Sequence, residues 1–215
     1  METFPERIDI SRRAVLVVGA ALALLAAAGW LLLGPDPRSE APASAPAPAP
    51  APGTPQWARL HYGNPGEPGF VRRRIVSIAF LGRTMFVNRA AQRHFLRLAR
   101  LFEARAPAYA AAVDDGELDD WSYENRRRRG AEVRSNHAFG LAVDINALAN
   151  PLGTAGEMPE EVVRQWEKEG GEWGGDWQRP DPMHFETHLT PRQIRKRYRA
   201  DGTPRRWYLD RLTGR

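Results

Sequence analysis

The chain of 215 residues contains no cysteine. A disulfide scaffold, a thiolate zinc site, an iron–sulfur cluster and a cysteine nucleophile are therefore excluded. Lysine is almost missing as well. Of 31 basic residues only Lys168 and Lys196 are lysine, and the other 29 are arginine. Proteins built to grip nucleic acid usually mix the two, and these arginines are scattered, so the skew reads as coding bias and no nucleic-acid partner is expected. The pI of about 10.0 still suits contact with an anionic polymer. There is no internal repeat and no regular βαβ alternation. The acidic stretch Val113 to Trp121 (Asp114, Asp115, Glu117, Asp119, Asp120) lacks EF-hand spacing and reads as a solvated turn. No histidine lies in a helical HExxH. At 42% hydrophobic and 27% charged, the chain is not disordered throughout.

What is present is unevenly distributed. Residues Ala14 to Leu33 are uncharged and rich in Ala, Leu and Val. As a helix this run spans roughly 30 Å, the thickness of a bilayer's hydrocarbon core. Arg7, Arg12 and Arg13 precede it and only Arg38 follows closely, so the positive-inside rule puts the N-terminus in the cytoplasm. A cleaved signal peptide is the alternative, with Ala26-Ala27-Ala28 as the cleavage site, but Trp30 to Leu33 continue the apolar run past it. Ala41 to Pro52 alternate Ala and Pro, which prevents helix and sheet and gives a semi-rigid spacer of roughly 40 Å. The expected organisation is a short cytoplasmic tail (1–13), a transmembrane signal-anchor (14–33), an Ala/Pro-rich linker (34–56) and one domain (57–215). The domain would face the periplasm or cell-envelope space and carries a net charge of +6, because the segment through Glu40 carries −1.

Within the domain, Arg74 to Phe80 predict a strand and Thr84 to Val87 its return, with Gly82-Arg83 as the turn. Asn88 reads as the N-cap of a helix from Arg89 to Arg105, ended by Pro107. Leu141 to Ile145 predict a short buried strand, and Pro159 to Glu169 a helix stopped by Gly170. Thr190 and Gln193 form a capping box for a last helix to about Arg199. Mixed strands and helices without a βαβ repeat give an α+β class.

Two of the five histidines stand in unusual settings. In Ser135-Asn136-His137-Ala138-Phe139-Gly140-Leu141-Ala142-Val143-Asp144, a histidine precedes by seven residues an aspartate on a predicted buried strand. Such a carboxylate needs a cation, a hydrogen-bond network or a metal, and Gly140 lets the chain turn so that the two side chains converge. In Asp181-Pro182-Met183-His184, aspartate and histidine three apart can face one pocket. A glycine turn before it, between Trp173 and Trp177, suits a ligand wall or a packed corner, and Trp177 is the candidate substrate contact. Each pair alone is also explained by a His–Asp hydrogen bond. Together, two histidines and an aspartate suit Zn2+, and three protein ligands would leave a fourth position for water.

The stretch SNHAFGLAVDIN resembles the SxHxxGxAxD signature of the M15 peptidases. This is the zinc D-alanyl-D-alanine carboxypeptidase and L-alanyl-D-glutamate endopeptidase family, which includes VanY-like enzymes and phage endolysins. EWGGDW followed by DPMHFE resembles its second signature, and Tyr123 to Gly130 resembles its arginine segment; the likeness spans roughly 71–186. The resemblance implies a Hedgehog/DD-peptidase-like fold, a small antiparallel sheet with flanking helices. It implies one zinc ion held by His137, Asp144 and His184, and Asp181 as general base. Arg126, the arginine of Tyr-x-x-Arg-x-x-x-Gly, would contact substrate, and Ser135 matches the family's serine two before the first ligand. The implied activity is hydrolysis of a bond next to a D-amino acid in peptidoglycan stem peptides, by carboxypeptidase or endopeptidase action. The alternative is a catalytically silent wall-binding module on the same fold. His188 reads as a surface or supporting residue rather than a ligand.

Overall fold

A computed structural model of the chain describes residues 47–113, 121–128 and 130–215. The chain divides into two units, Met1–Pro48 and Ala49–Arg215. The expected tail, the membrane-spanning helix 14–33, most of the Ala/Pro linker and the acidic turn 114–120 lie outside the described residues. Among the described residues no helix is long and apolar enough to cross a membrane.

Helix α1 (Pro55–Tyr62) opens on Thr54, whose hydroxyl accepts the N–H of Trp57 at 3.3 Å, with proline in the first turn. Trp57, Ala58 and Tyr62 of this helix are buried. A short helix α2 (Phe70–Arg74) leads into β1 (Ile75–Phe80), and β2 (Arg83–Asn88) returns antiparallel with Ile75 opposite Asn88. This hairpin matches the expected one. The following helix does not begin at Arg89: α3 spans Gln92–Arg105. Asn88 is wholly buried, and its amide donates to the carbonyls of Tyr62 (3.3 Å) and Phe139 (3.0 Å). It ties three segments together, and the chain needs a turn before α3 can start. Pro107 does more than stop a helix; it occupies the first position of α4 (Pro107–Val113).

The second sheet holds three short antiparallel strands, β3 (Ala142–Asp144), β4 (Gly171–Trp173) and β5 (His184–Thr187), in the order β3-β5-β4. A single small sheet was expected; among the described residues there are two. Gly140 explains the division. At φ +67 it turns the chain as its carbonyl accepts the Asn88 N–H at 2.8 Å, so β3 leaves the hairpin and pairs with β5. The other edge of β3 is taken by Trp121, which exchanges backbone hydrogen bonds with Asp144. Helix α5 (Glu160–Lys168) follows Pro159, and α6 (Pro191–Arg197) opens on the expected Thr190–Gln193 capping box. A last helix, α7 (Arg206–Thr213), closes the chain. Phe95, Leu98 and Phe102 of α3 pack with Trp166 of α5, Phe139, Leu141 and Phe185 in one core under the second sheet. The class is α+β.

Candidate metal centre

Local structure brings the first motif into shape. Ser135 is extended, and its hydroxyl accepts the His137 N–H at 3.3 Å, capping a 3-10 helix over Asn136–Phe139. Gly140 ends that helix in the left-handed region. A Cβ there would meet the Asn88 backbone nitrogen at 2.5 Å, so the turn requires glycine twice over. Asp144 then ends β3, directly opposite His184 in the antiparallel ladder. The register thus places the aspartate of one motif beside the histidine of the other.

Three atoms converge. His137 Nε2 lies 3.1 Å from Asp144 Oδ1 and 3.2 Å from His184 Nδ1, and His184 Nδ1 lies 2.9 Å from Asp144 Oδ1. All three residues are buried. The outer nitrogen of each ring is engaged. His137 Nδ1 donates to the Ser122 carbonyl at 2.6 Å, and His184 Nε2 meets Glu186 Oε2 at 3.0 Å. These contacts orient both rings with the remaining nitrogen toward Asp144. Two imidazoles and one carboxylate, convergent and backed in this way, fit a zinc-type donor set.

The electrostatics point the same way. Burial opposes ionisation of Asp144, but the His137 and His184 imidazoles outweigh it and hold the carboxyl well below its usual range. Burial opposes protonation of His184, but hydrogen bonds to Asp144 and Glu186 prevail and push its pKa up to about 10. The site favours positive charge between these groups, so a cation competes there with a proton.

The other expected residues line the same cleft, of about 830 Å3. Asp181 lies at its edge. Its N–H donates to the Gly174 carbonyl at 2.8 Å, and its own carbonyl accepts the His184 N–H at 3.0 Å, which fixes Asp181 and His184 in one turn. A Cβ at Gly174 would come within 2.6 Å of that carbonyl, so the glycine turn is a close-packed support. Trp177 stands with its ring 5.0 Å from that of His184 and donates its indole N–H to Glu172 at 2.6 Å. Arg126 Nη2 reaches 4.0 Å from Asp144 Oδ2 while Nε donates to Glu124 at 2.7 Å. Ser135, the cap of the His137 turn, also borders the cleft.

Sequence reasoning passed over Glu186. It is wholly enclosed, and its carboxylate contacts His184, His188 and Asn136. The signal was present: His184, Glu186 and His188 alternate, and residues two apart on a strand share a face. His188 stays out of the three-atom cluster, as expected, and stands behind Glu186.

Residues 128–187 match the family model Peptidase_M15_4, described as D-alanyl-D-alanine carboxypeptidase. Over that segment the chain matches the M15 peptidases. The matched stretch is shorter than 71–186; it contains both histidine motifs and starts two residues after Arg126. No curated protein and no solved structure matches the chain at a significant level. The M15 match supports a peptidase, and the convergent His137, Asp144 and His184 are its candidate metal site.

Proposed function

We propose that the chain is a zinc-dependent peptidase that hydrolyses a peptide bond next to a D-amino acid in peptidoglycan stem peptides. The observation that carries this reading is the convergence of His137 Nε2, Asp144 Oδ1 and His184 Nδ1 beside Asp181 at the wall of one cleft. Zinc held by those three atoms would supply a Lewis acid for the scissile carbonyl and lower the pKa of a water in the open position. Asp181 is the general base: its carboxylate takes the proton of the attacking water and passes it to the leaving amine. The Arg126 guanidinium, at the edge of the cluster, donates to the oxyanion or to a substrate carboxylate. Arg128 and Arg179 line the same cleft and favour an acidic peptide, as stem peptides are. Trp177 forms a flat wall against which the chain of the substrate can lie. The apolar run 14–33 and the Ala/Pro spacer support a membrane tether that holds this domain at the cell wall.

Asp181→Ala separates metal binding from catalysis. The variant should still bind about one zinc per chain, while amine release from purified murein falls by about 100- to 10,000-fold, the range of a lost acid–base group. Undiminished release would remove Asp181 from the mechanism. Mass spectrometry of the digested muropeptides distinguishes the two modes of cutting: loss of a single D-alanine marks a carboxypeptidase, loss of a longer stem fragment an endopeptidase.

A further inference from the structure

We propose that Glu186 is the positioning residue of the metal centre, and that His188 and Glu172 carry its hold outward to Trp177 in the cleft wall. The inference rests on the metallopeptidase reading above.

An imidazole offers one nitrogen to a metal, and the partner of its other nitrogen decides which. For His184 that partner is Glu186: Oε2 lies 3.0 Å from Nε2. With Nε2–H donating to Glu186, the lone pair rests on Nδ1, the atom that faces Asp144 and His137. Glu186 is itself fixed. Asn136, the neighbour of ligand His137, donates its amide to Oε2 at 2.7 Å and to the Gly53 carbonyl at 3.1 Å. Gly53 lies over the group, since a Cβ there would fall 2.3 Å from His188 Nε2 and 3.2 Å from Glu186 Oε1. The backbone leading into α1 therefore closes the network from above.

His188 is the strut behind Glu186. Its Nε2 meets Glu186 Oε1 at 2.7 Å and its Nδ1 meets Glu172 Oε2 at 3.1 Å. His188 therefore bridges two carboxylates, and it links Glu172 and Glu186, its partners in the second group of potential ligands among the described residues, into one support behind the first group. Glu172 in turn accepts the Trp177 indole N–H at 2.6 Å, and Trp177 returns to within 5.0 Å of the His184 ring. From His184 the contacts run through Glu186, His188, Glu172 and Trp177 back to His184. A closed circuit of this kind couples ligand orientation to the position of the substrate wall.

The test measures metal affinity rather than turnover. Zinc affinity of the full chain is read by competition with a chromophoric chelator, and the visible spectrum of the cobalt-loaded protein reports ligand geometry. Glu186→Gln keeps the volume and the acceptor for Asn136 but loses the charge shared by the two imidazoles. It should bind zinc about 10- to 100-fold more weakly and alter the cobalt spectrum. Glu172→Gln, which leaves the Glu186–His184 contact in place, should lose less. Wild-type zinc affinity with an unchanged cobalt spectrum in Glu186→Gln overturns the proposal. If circular dichroism shows that Glu186→Gln does not fold, His188→Gln replaces it: weaker zinc binding supports the strut, and unchanged binding overturns it. Failure of the underlying reading has a different signature. Wild type and Asp144→Ala would then bind zinc equally weakly, and both inferences fall together.

Discussion

Two buried carboxylates, Asp144 and Glu169, do opposite things in this domain. Glu169 ends α5 with no exposed surface. Arg97 grips both its oxygens, at 2.6 and 2.9 Å; Gln165 donates at 2.7 Å and the Tyr198 hydroxyl at 2.8 Å. Its carbonyl accepts from Arg197 at 2.9 Å. The charge is matched by a guanidinium that never loses its proton, and the oxygens have no capacity left for a ligand. Asp144 is almost as buried, yet its close partners are two imidazoles, which can be neutral, and its outer side faces a cleft. Burial and pairing do not by themselves mark a site. The mark is a buried acid whose partners can exchange a proton for a metal and whose remaining lone pairs face open space.

The widest separation between the two regions should come from Asp144→Asn. Zinc content is expected to drop from about one per chain to almost none, and murein hydrolysis by at least about 1,000-fold, the scale of disabling a whole catalytic unit. Plasma emission spectrometry and an amine-release assay read the two effects. A variant that kept its zinc would remove Asp144 from the donor set.

Glu169→Ala should do the reverse. It strands Arg97 and the Tyr198 hydroxyl against a cavity, at a cost of about 3–5 kcal/mol. For a domain of this size the melting temperature should fall by about 10 °C. Zinc stoichiometry and affinity at 25 °C should be unchanged. Loss of zinc affinity in the folded Glu169→Ala protein would show that the two networks are coupled and would undo the contrast.

The two regions were unequally legible in the sequence, for a physical reason. Metal chemistry constrains residue type, so His137, Asp144 and His184 stood out within two short motifs. The remaining geometry came from a ladder register that places Asp144 opposite His184, which the alternation of short strands permits but does not fix. The partner of Glu169 is Arg97, 72 residues away, and nothing local in the Glu167-Lys168-Glu169-Gly170 stretch distinguishes an ion-paired glutamate from a solvated helix end. Asn88 was misread for the same reason. As a turn residue before a helical pattern it resembles a cap, but its Oδ1 accepts the Ala90 N–H at 3.1 Å in a turn ahead of α3, and its amide N–H groups go to Tyr62 and Phe139, far along the chain. Pro107 signals a break equally well whether a loop or a new helix follows. The two-sheet division depended on one carbonyl–amide contact at Gly140, which only the folded chain supplies.

The smallest effect concerns the residue between the two networks. His94 of α3 is wholly buried, stacked on Trp166 at 4.0 Å and on Tyr198 at 5.4 Å. Its Nδ1 lies 2.7 Å from the Thr187 hydroxyl, next to Glu186. Burial, and then the Arg197 and Arg97 cations brought close by the Glu169 network, push its pKa well below that of a free imidazole. Its Nε2 has no hydrogen-bond partner among the described residues, so a proton there would be buried bare. In the unfolded chain the same ring takes up a proton below about pH 6.5. The unfolded state then binds a proton that the folded state refuses. The contribution of neutral His94 is therefore complete above about pH 6.5 and declines as the pH falls, by up to about 1.4 kcal/mol per pH unit. Other groups titrate in the same interval, so the informative quantity is the difference between wild type and His94→Gln, which cannot be protonated. Urea unfolding at pH 7.5 and at pH 5.5 should show wild type losing about 1 kcal/mol more than the variant across that interval. An equal loss in both would mean that His94 accepts its proton in the folded state, and that burial and the cations around Glu169 together do not keep its ring neutral.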